Sequence, residues 1–219
     1  MLPIDYLNDV IEPTVKIRFY SKDKKEVFYR FDRDNTVELK NINCDYLFST
    51  VNNSLILIDY DKGYINSESI ISLFDYIDNN GIKISSLFLN TKPHKIHIFK
   101  EFLDFLYNKY NCKIIIQLNE FEYKPIKNII DEYSWSHLIV TRGIKSIHLY
   151  NKEITIEKID IDISESLVED IPTTSGCGDI FFSQIIYYYL YNKADILKSI
   201  KYAVSNMISH LNDLNHKLF

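Results

Sequence analysis

Residues 54–90 read SLILIDYDKGYINSESIISLFDYIDNNGIKISSLFLN. LILIDY (55–60) is a short apolar run rich in β-formers, and SLFLNT (86–91) is a second. Between them, residues 67–79 place Ile70, Ile71, Phe74 and Ile77 at helical spacing. Ser67 is the expected N-cap of that helix and Gly81 its expected stop. Strand, helix, strand in this order is one right-handed crossover unit, so the two strands are expected to run parallel.

The alternation continues toward the C-terminus. Residues 96–110 form an amphipathic helical pattern with Ile96, Phe99, Leu103, Leu106 and Tyr110 on one stripe. KIIIQL (113–118) reads as a strand and residues 120–132 as a helix. HLIVTR (137–142), SIHLYN (146–151) and ITIEKID (154–160) read as strands, and two helices follow at 178–191 and 194–211. On the N-terminal side, TVKIRFY (14–20) and EVFYRFD (26–32) alternate apolar and polar residues around SKDKK. That is an antiparallel hairpin with one wet face, standing off the main body. The expected class is therefore α/β: a mostly parallel sheet covered on both faces, with a small β-hairpin at 14–32. Ligands of such sheets bind beyond the C-terminal strand ends, which directs attention to Asp59, Asn90, Asn119, Thr141 and the loop 172–179.

Composition bounds the function. The chain has 219 residues, 46% of them hydrophobic and 25% charged, enough for a sizeable core in a single domain, 1–219. Its net charge is −5 and it has no basic run, which argues against nucleic-acid binding through phosphate neutralisation. The three cysteines, Cys44, Cys112 and Cys177, are far apart and form no CxxC pair, which points to a reducing, cytoplasmic setting. Asp5, Asp9, Glu12, Lys16 and Arg18 break any signal-peptide core. The charge-free stretch 180–192 has 13 residues, too short to span a bilayer. Only five glycines occur, so each is expected where a side chain is not tolerated.

The stretch richest in chemistry is PTTSGCGDIFF, residues 172–182. Two glycines flank a small residue, an aspartate follows, and an apolar helix begins. Backbone N–H groups at a helix start, with the helix dipole, suit an anion. An aspartate in the first turn can accept a proton from an attacking hydroxyl. The same residues also fit a plain glycine turn in which Asp179 complements the dipole. Local physics leaves both readings open.

TTSGCGDIFF resembles the G-A-G-D signature of the ribokinase/PfkB carbohydrate kinases, with Cys177 at the alanine position. Three more segments match in order: NEFE (119–122) resembles the N-x-x-E motif, VTRG (140–143) the V-T-x-G strand end, and LIDYDKG (57–63) the D-Y-G-K-G segment. The last belongs to the heptose type of sugar-phosphate kinase, and TVKIRFYSKDKKEVFYRFDRD (14–34) is similar to that branch's lid hairpin. The resemblance spans about residues 14–211. It implies a ribokinase-like three-layer α/β/α fold and transfer of phosphate from ATP to a sugar or sugar phosphate, with Mg2+. It makes Asp179 the catalytic base and Gly176, Cys177 and Gly178 the anion hole. Asn119, Glu122, Thr141 and Gly143 would lie along the nucleotide, with Glu122 near Mg2+ through water. Asp59, Lys62 and Gly63 would lie on the substrate side.

The departures are equally specific. The chain has no Gly-Gly-x-x-Asn segment, Thr173 stands where the family has an aspartate, and Asp61 replaces the glycine of D-Y-G-K-G. The resemblance therefore implies an N-terminally truncated sheet with an open edge, covered by a second copy or a complementing subunit. It also leaves a second reading: a catalytically impaired remnant that binds nucleotide or a partner. A pure scaffold is a third. Four weaker features complete the reading. His94 and His97 form an HxxH without a third metal ligand nearby in sequence. YYYLY (187–191) reads as core plus one helix face. Cys177 at a helix start is placed for a lowered thiol pKa but lacks a His partner. Asn206 could reach the adenine region from the last helix.

Overall fold

The computed structural model describes residues 15–20, 27–33, 44–48, 53–143, 146–152, 159–162 and 177–217. In chain order these form β1 (Val15–Tyr20), β2 (Val27–Arg33), α1 (Cys44–Leu47), β3 (Ser54–Ile58), α2 (Ser67–Asn79), β4 (Ser86–Asn90), α3 (Lys100–Tyr110) and β5 (Lys113–Asn119). They continue with α4 (Glu120–Ile126), β6 (His137–Thr141), β7 (Ser146–Asn151), β8 (Ile159–Asp162), α5 (Cys177–Tyr191) and α6 (Ile196–Lys217). Strands β1 and β2 make a two-stranded antiparallel sheet of their own. The other six form one sheet in the order β3-β4-β5-β6-β7-β8. Strands β3 to β6 run parallel, and β7 and β8 are antiparallel additions.

Side-chain alternation along the strands sorts the core into two layers. Leu57, Leu89, Ile116, Leu118 and Val140 face helices α2, α3 and α4, with Leu73, Phe102 and Trp135 packed against them. Phe88, Ile115, Ile139, Ile147 and Leu149 face α5 and α6, meeting Phe181, Phe182, Ile185 and Ile200. Strand β5 is buried along its whole middle, which is why it reads as an unbroken apolar run. The sheet edge is different: β3 buries Leu55 and Leu57 but leaves Ile56 44% and Ile58 40% exposed.

Local chemistry moves several element boundaries. The N-cap of α2 is Asn66, not Ser67: Asn66 accepts from the Ser69 amide at 2.9 Å, and Ser69 Oγ accepts from the Asn66 amide at 2.9 Å. The expected helix 96–110 begins as a 3-10 segment, Pro93–Phe99, before α3. Pro93 opens that segment because its missing N–H is an orphan at a helix start anyway. The expected helix 120–132 splits into α4 and a 3-10 turn, Ile130–Glu132. Pro125 inside α4 removes a backbone donor and crowds the preceding turn, so the helix ends one residue later. Helix α6 starts at Ile196, with Asp195 Oδ1 accepting from the Lys198 amide at 2.8 Å. Strand β8 starts at Ile159; the remainder of the expected strand, 154–158, lies outside the described residues. No helix among the described residues is long and apolar enough to cross a membrane.

Candidate functional site

The parallel strands end along one rim of the sheet. On the α5 side of that rim the chain gathers polar residues, because the positions that alternate with the apolar ones fall there. Asn90 Nδ2 donates to the Gln117 carbonyl at 3.1 Å and also to its side-chain oxygen. Asn119 and Thr141 are register partners at the ends of β5 and β6. Helix α5 begins over the same rim, and its first turn carries Asp179. Tyr60, just past β3, donates its phenolic hydrogen to Asp179 Oδ1 at 2.7 Å.

That bond joins two segments 119 residues apart in sequence. It ties the glycine–aspartate segment to LIDYDKG, two stretches that the sequence analysis singled out separately. Tyr60 was missed by sequence reasoning, although it lies inside LIDYDKG, between Asp59 and Lys62. Its hydrogen bond to Asp179, and to a lesser degree burial and the carboxylate's charge, push its hydroxyl up to about 12. Tyr60 thus stays a donor throughout the neutral range.

Asp59 is engaged by groups of the protein itself. It is 2% exposed, with Lys95 Nζ 2.9 Å from Oδ2 and the Asp61 amide donating to Oδ1 at 2.8 Å. Lys95 also reaches Asp61 Oδ1 at 3.4 Å and donates to the Ile65 carbonyl at 2.7 Å. This cluster shapes the loop that carries Tyr60. Asp61 holds a left-handed φ of 59°, and Gly63 one of 87°. Glycine would hold the first of these conformations at less cost than Asp61 does. His94 of the HxxH pair lies 3.2 Å from Asp61 Oδ2. Lys62 and Gly63 are both partly buried.

Asn119 and Glu122 form a reciprocal capping box at the start of α4. Asn119 Oδ1 accepts from the Glu122 amide at 2.9 Å, and Glu122 Oε2 accepts from the Asn119 amide at 3.0 Å. The other oxygen, Oε1, meets Lys92 Nζ at 2.6 Å. Both carboxylate oxygens of Glu122 are thus engaged, and Lys92 already supplies a positive charge. Among the described residues no group of three His, Cys, Asp or Glu side chains could hold a metal ion. With both oxygens engaged, Glu122 does not offer a free ligand for direct coordination of a cation. Thr141 Oγ1 donates to the Leu118 carbonyl at 3.4 Å, and Gly143 has a left-handed φ of 60°.

Cys177 and Gly178 open α5; Gly176 and Thr173 lie outside the described residues. Burial pushes the Cys177 thiol up, outweighing a backbone hydrogen bond that lowers it. Asn206 donates to Gln184 Oε1 at 3.1 Å and to the Tyr188 hydroxyl at 2.9 Å, which ties α6 to α5. The YYYLY run sits as expected: Tyr188 stacks on Tyr202 at 4.7 Å and Tyr187 on Tyr191 at 5.3 Å.

No protein-family model and no curated protein matches the sequence. Solved structures do match. A fructokinase of Vibrio cholerae aligns with 93% of this chain and 72% of its own, at 11% identity and a TM-score of 0.56. A possible 1-phosphofructokinase of Thermotoga maritima aligns with 91% of this chain and 63% of its own, at 13% identity and a TM-score of 0.51. The fold is ribokinase-like. This ribokinase-like chain spans about half, 48%, of a nucleoside kinase of Burkholderia thailandensis solved with inosine, which aligns with 70% of this chain at 15% identity and a TM-score of 0.47.

The Tyr60 contact makes a prediction of its own. The Tyr60 pKa is raised above that of an ordinary tyrosine, about 10, so its contact stabilises the fold fully below pH 10 and loses that effect as pH rises through about 12. An alkaline ultraviolet titration of tyrosinate, wild type minus Tyr60→Phe, should show one phenol ionising near 12. A difference curve centred near 10 would mean that the contact with Asp179 is not made in solution.

Proposed function

We propose that the chain is an ATP-dependent phosphotransferase acting on a hydroxyl of a sugar or sugar phosphate, heptose phosphates being the finer reading. The observation that carries this is the convergence of Asp179, at the first turn of α5, with the segment after β3 through Tyr60. In this reading Asp179 takes the proton of the acceptor hydroxyl. The freed oxygen forms a bond to the γ-phosphorus, and the bond to ADP breaks. The amides of Cys177 and Gly178, with Gly176, face the charge developing on the phosphoryl oxygens. Asn119, Glu122, Thr141 and Gly143 hold the nucleotide along the ends of β5 and β6. Mg2+ bound with ATP would offset the negative charge of the phosphates. Residues 1–219 act as one unit, with the β1–β2 hairpin as its lid.

Tyr60 acts by positioning. Its hydroxyl aims one oxygen of Asp179 and leaves the other for the acceptor. Tyr60→Phe should therefore lower kcat by about tenfold or more, the scale of one hydrogen bond to a charged group, with KM for ATP unchanged. The decisive assay follows ADP release and acceptor phosphorylation across a panel of hexoses, heptoses and their phosphates. Turnover with none of them, combined with an ATP-dependent rise in melting temperature, would favour the impaired, nucleotide-binding alternative.

The open edge bears on assembly. Strand β3 stands at the sheet edge among the described residues and leaves Ile56 and Ile58 exposed, and large apolar side chains at a sheet edge favour a partner. In this reading a second copy or a complementing subunit covers them. Light scattering should give a mass above that of the monomer, and Ile56→Lys with Ile58→Lys should reduce it. A wild type that is monomeric at micromolar concentration would overturn that assignment.

A further inference from the structure

We infer that the cleft between α4 and the β6–β7 hairpin is a second ligand site, for a small planar anion: an aromatic ring system carrying a phosphate. The cleft has a volume of about 630 Å³, within the usual range for small-molecule sites. It lies on the sheet face opposite Asp179. Val140, which lines it, belongs to the α2–α4 layer, whereas Ile139 next to it belongs to the α5–α6 layer.

The lining has two kinds of chemistry. Tyr123 and Tyr150 stand 5.8 Å apart with their planes at 33°, forming an aromatic wall. Phe121 projects from α4 with 87% of its surface exposed, so its ring face is open for stacking. The second kind is positive charge. Lys124 and Lys127 are exposed on the rim and form no ion pair among the described residues. Phe121 and Lys124 are three residues apart on α4, hence neighbours on one helix edge. Arg142 is aimed by Glu120, whose Oε1 accepts from Nε at 3.1 Å, so its guanidinium is pre-oriented. A neutral apolar ligand would leave the lysines unused, and a bare anion would leave the aromatic wall unused. A ring joined to a phosphate engages both.

Flavin mononucleotide is a suitable probe, since it joins a planar ring to a phosphate monoester and loses fluorescence on stacking. The wild-type chain should quench it saturably. Riboflavin, which lacks the phosphate, should bind about tenfold more weakly or worse, and Lys124→Glu with Lys127→Glu should cost the flavin nucleotide about tenfold or more. Both lysines are exposed, so this variant should fold, which circular dichroism checks. Phe121→Ala should weaken both flavins alike. Asp179→Asn should bind the probe as the wild type does. No saturable quenching, equal affinity for the two flavins, or indifference to the lysine changes would each overturn the inference. None of these outcomes depends on phosphoryl transfer at Asp179.

Discussion

Asp179→Asn should lower acceptor phosphorylation by about 10²–10⁴-fold, the usual contribution of a well-placed general base. The change is nearly isosteric. Asparagine keeps an oxygen that can accept from Tyr60, so the contact between α5 and the loop after β3 survives while the proton acceptor is lost. Nucleotide affinity should hold, because Asp179 acts on the acceptor and not on ATP. The expected pattern is therefore a collapse of kcat with an unchanged ATP-dependent melting shift. A variant that keeps activity within about threefold would remove Asp179 from the chemistry. The kinase reading would then have lost its base, and the glycine–aspartate segment would revert to a capped helix start.

The sheet was legible because each of its parallel strands is a short apolar run separated by a helix with its own period. KIIIQL could be read as a strand covered on both faces because no polar residue breaks it before Gln117. Boundaries shifted where a single residue's chemistry overrode the pattern. Asn66 outcompeted Ser67 as a cap, and Pro93 and Pro125 reshaped two helices. The site was legible one residue at a time but not as contacts. Asp179 stood out beside its glycines, yet nothing local could reveal that its partner lies 119 residues earlier. The N-x-x-E segment shows how one pattern serves two ends. Asn119 and Glu122 satisfy each other's backbone as any capping box does, and the same cap fixes both side chains at the strand ends where a nucleotide would pass. Lys95 left no signal at all. It sits between His94 and His97, and the pair of histidines drew attention to metal binding while the lysine between them holds the loop.

Lys95→Met should be the most destabilising change at the site, costing about 3–5 kcal/mol, the usual penalty for removing one partner of a buried ion pair. Asp59 is almost completely enclosed, and its remaining partners are the Asp61 amide at 2.8 Å and the Thr91 hydroxyl at 3.4 Å. Neither supplies a positive charge. The lost side chain would also give up its hydrogen bond to the Ile65 carbonyl, which braces the far end of the same loop. Urea unfolding should show a lower midpoint with an unchanged slope. Adding Asp59→Asn should recover part of the loss, because the stranded charge is removed with its partner, and the double-mutant cycle measures the coupling. The consequence reaches the chemistry. Tyr60 rides on the loop between Asp59 and Ile65, so the single variant should also lose turnover at temperatures where it is still folded. A loss of less than about 1 kcal/mol, the range of a surface pair, would mean that water reaches Asp59 and that the loop is braced by other contacts.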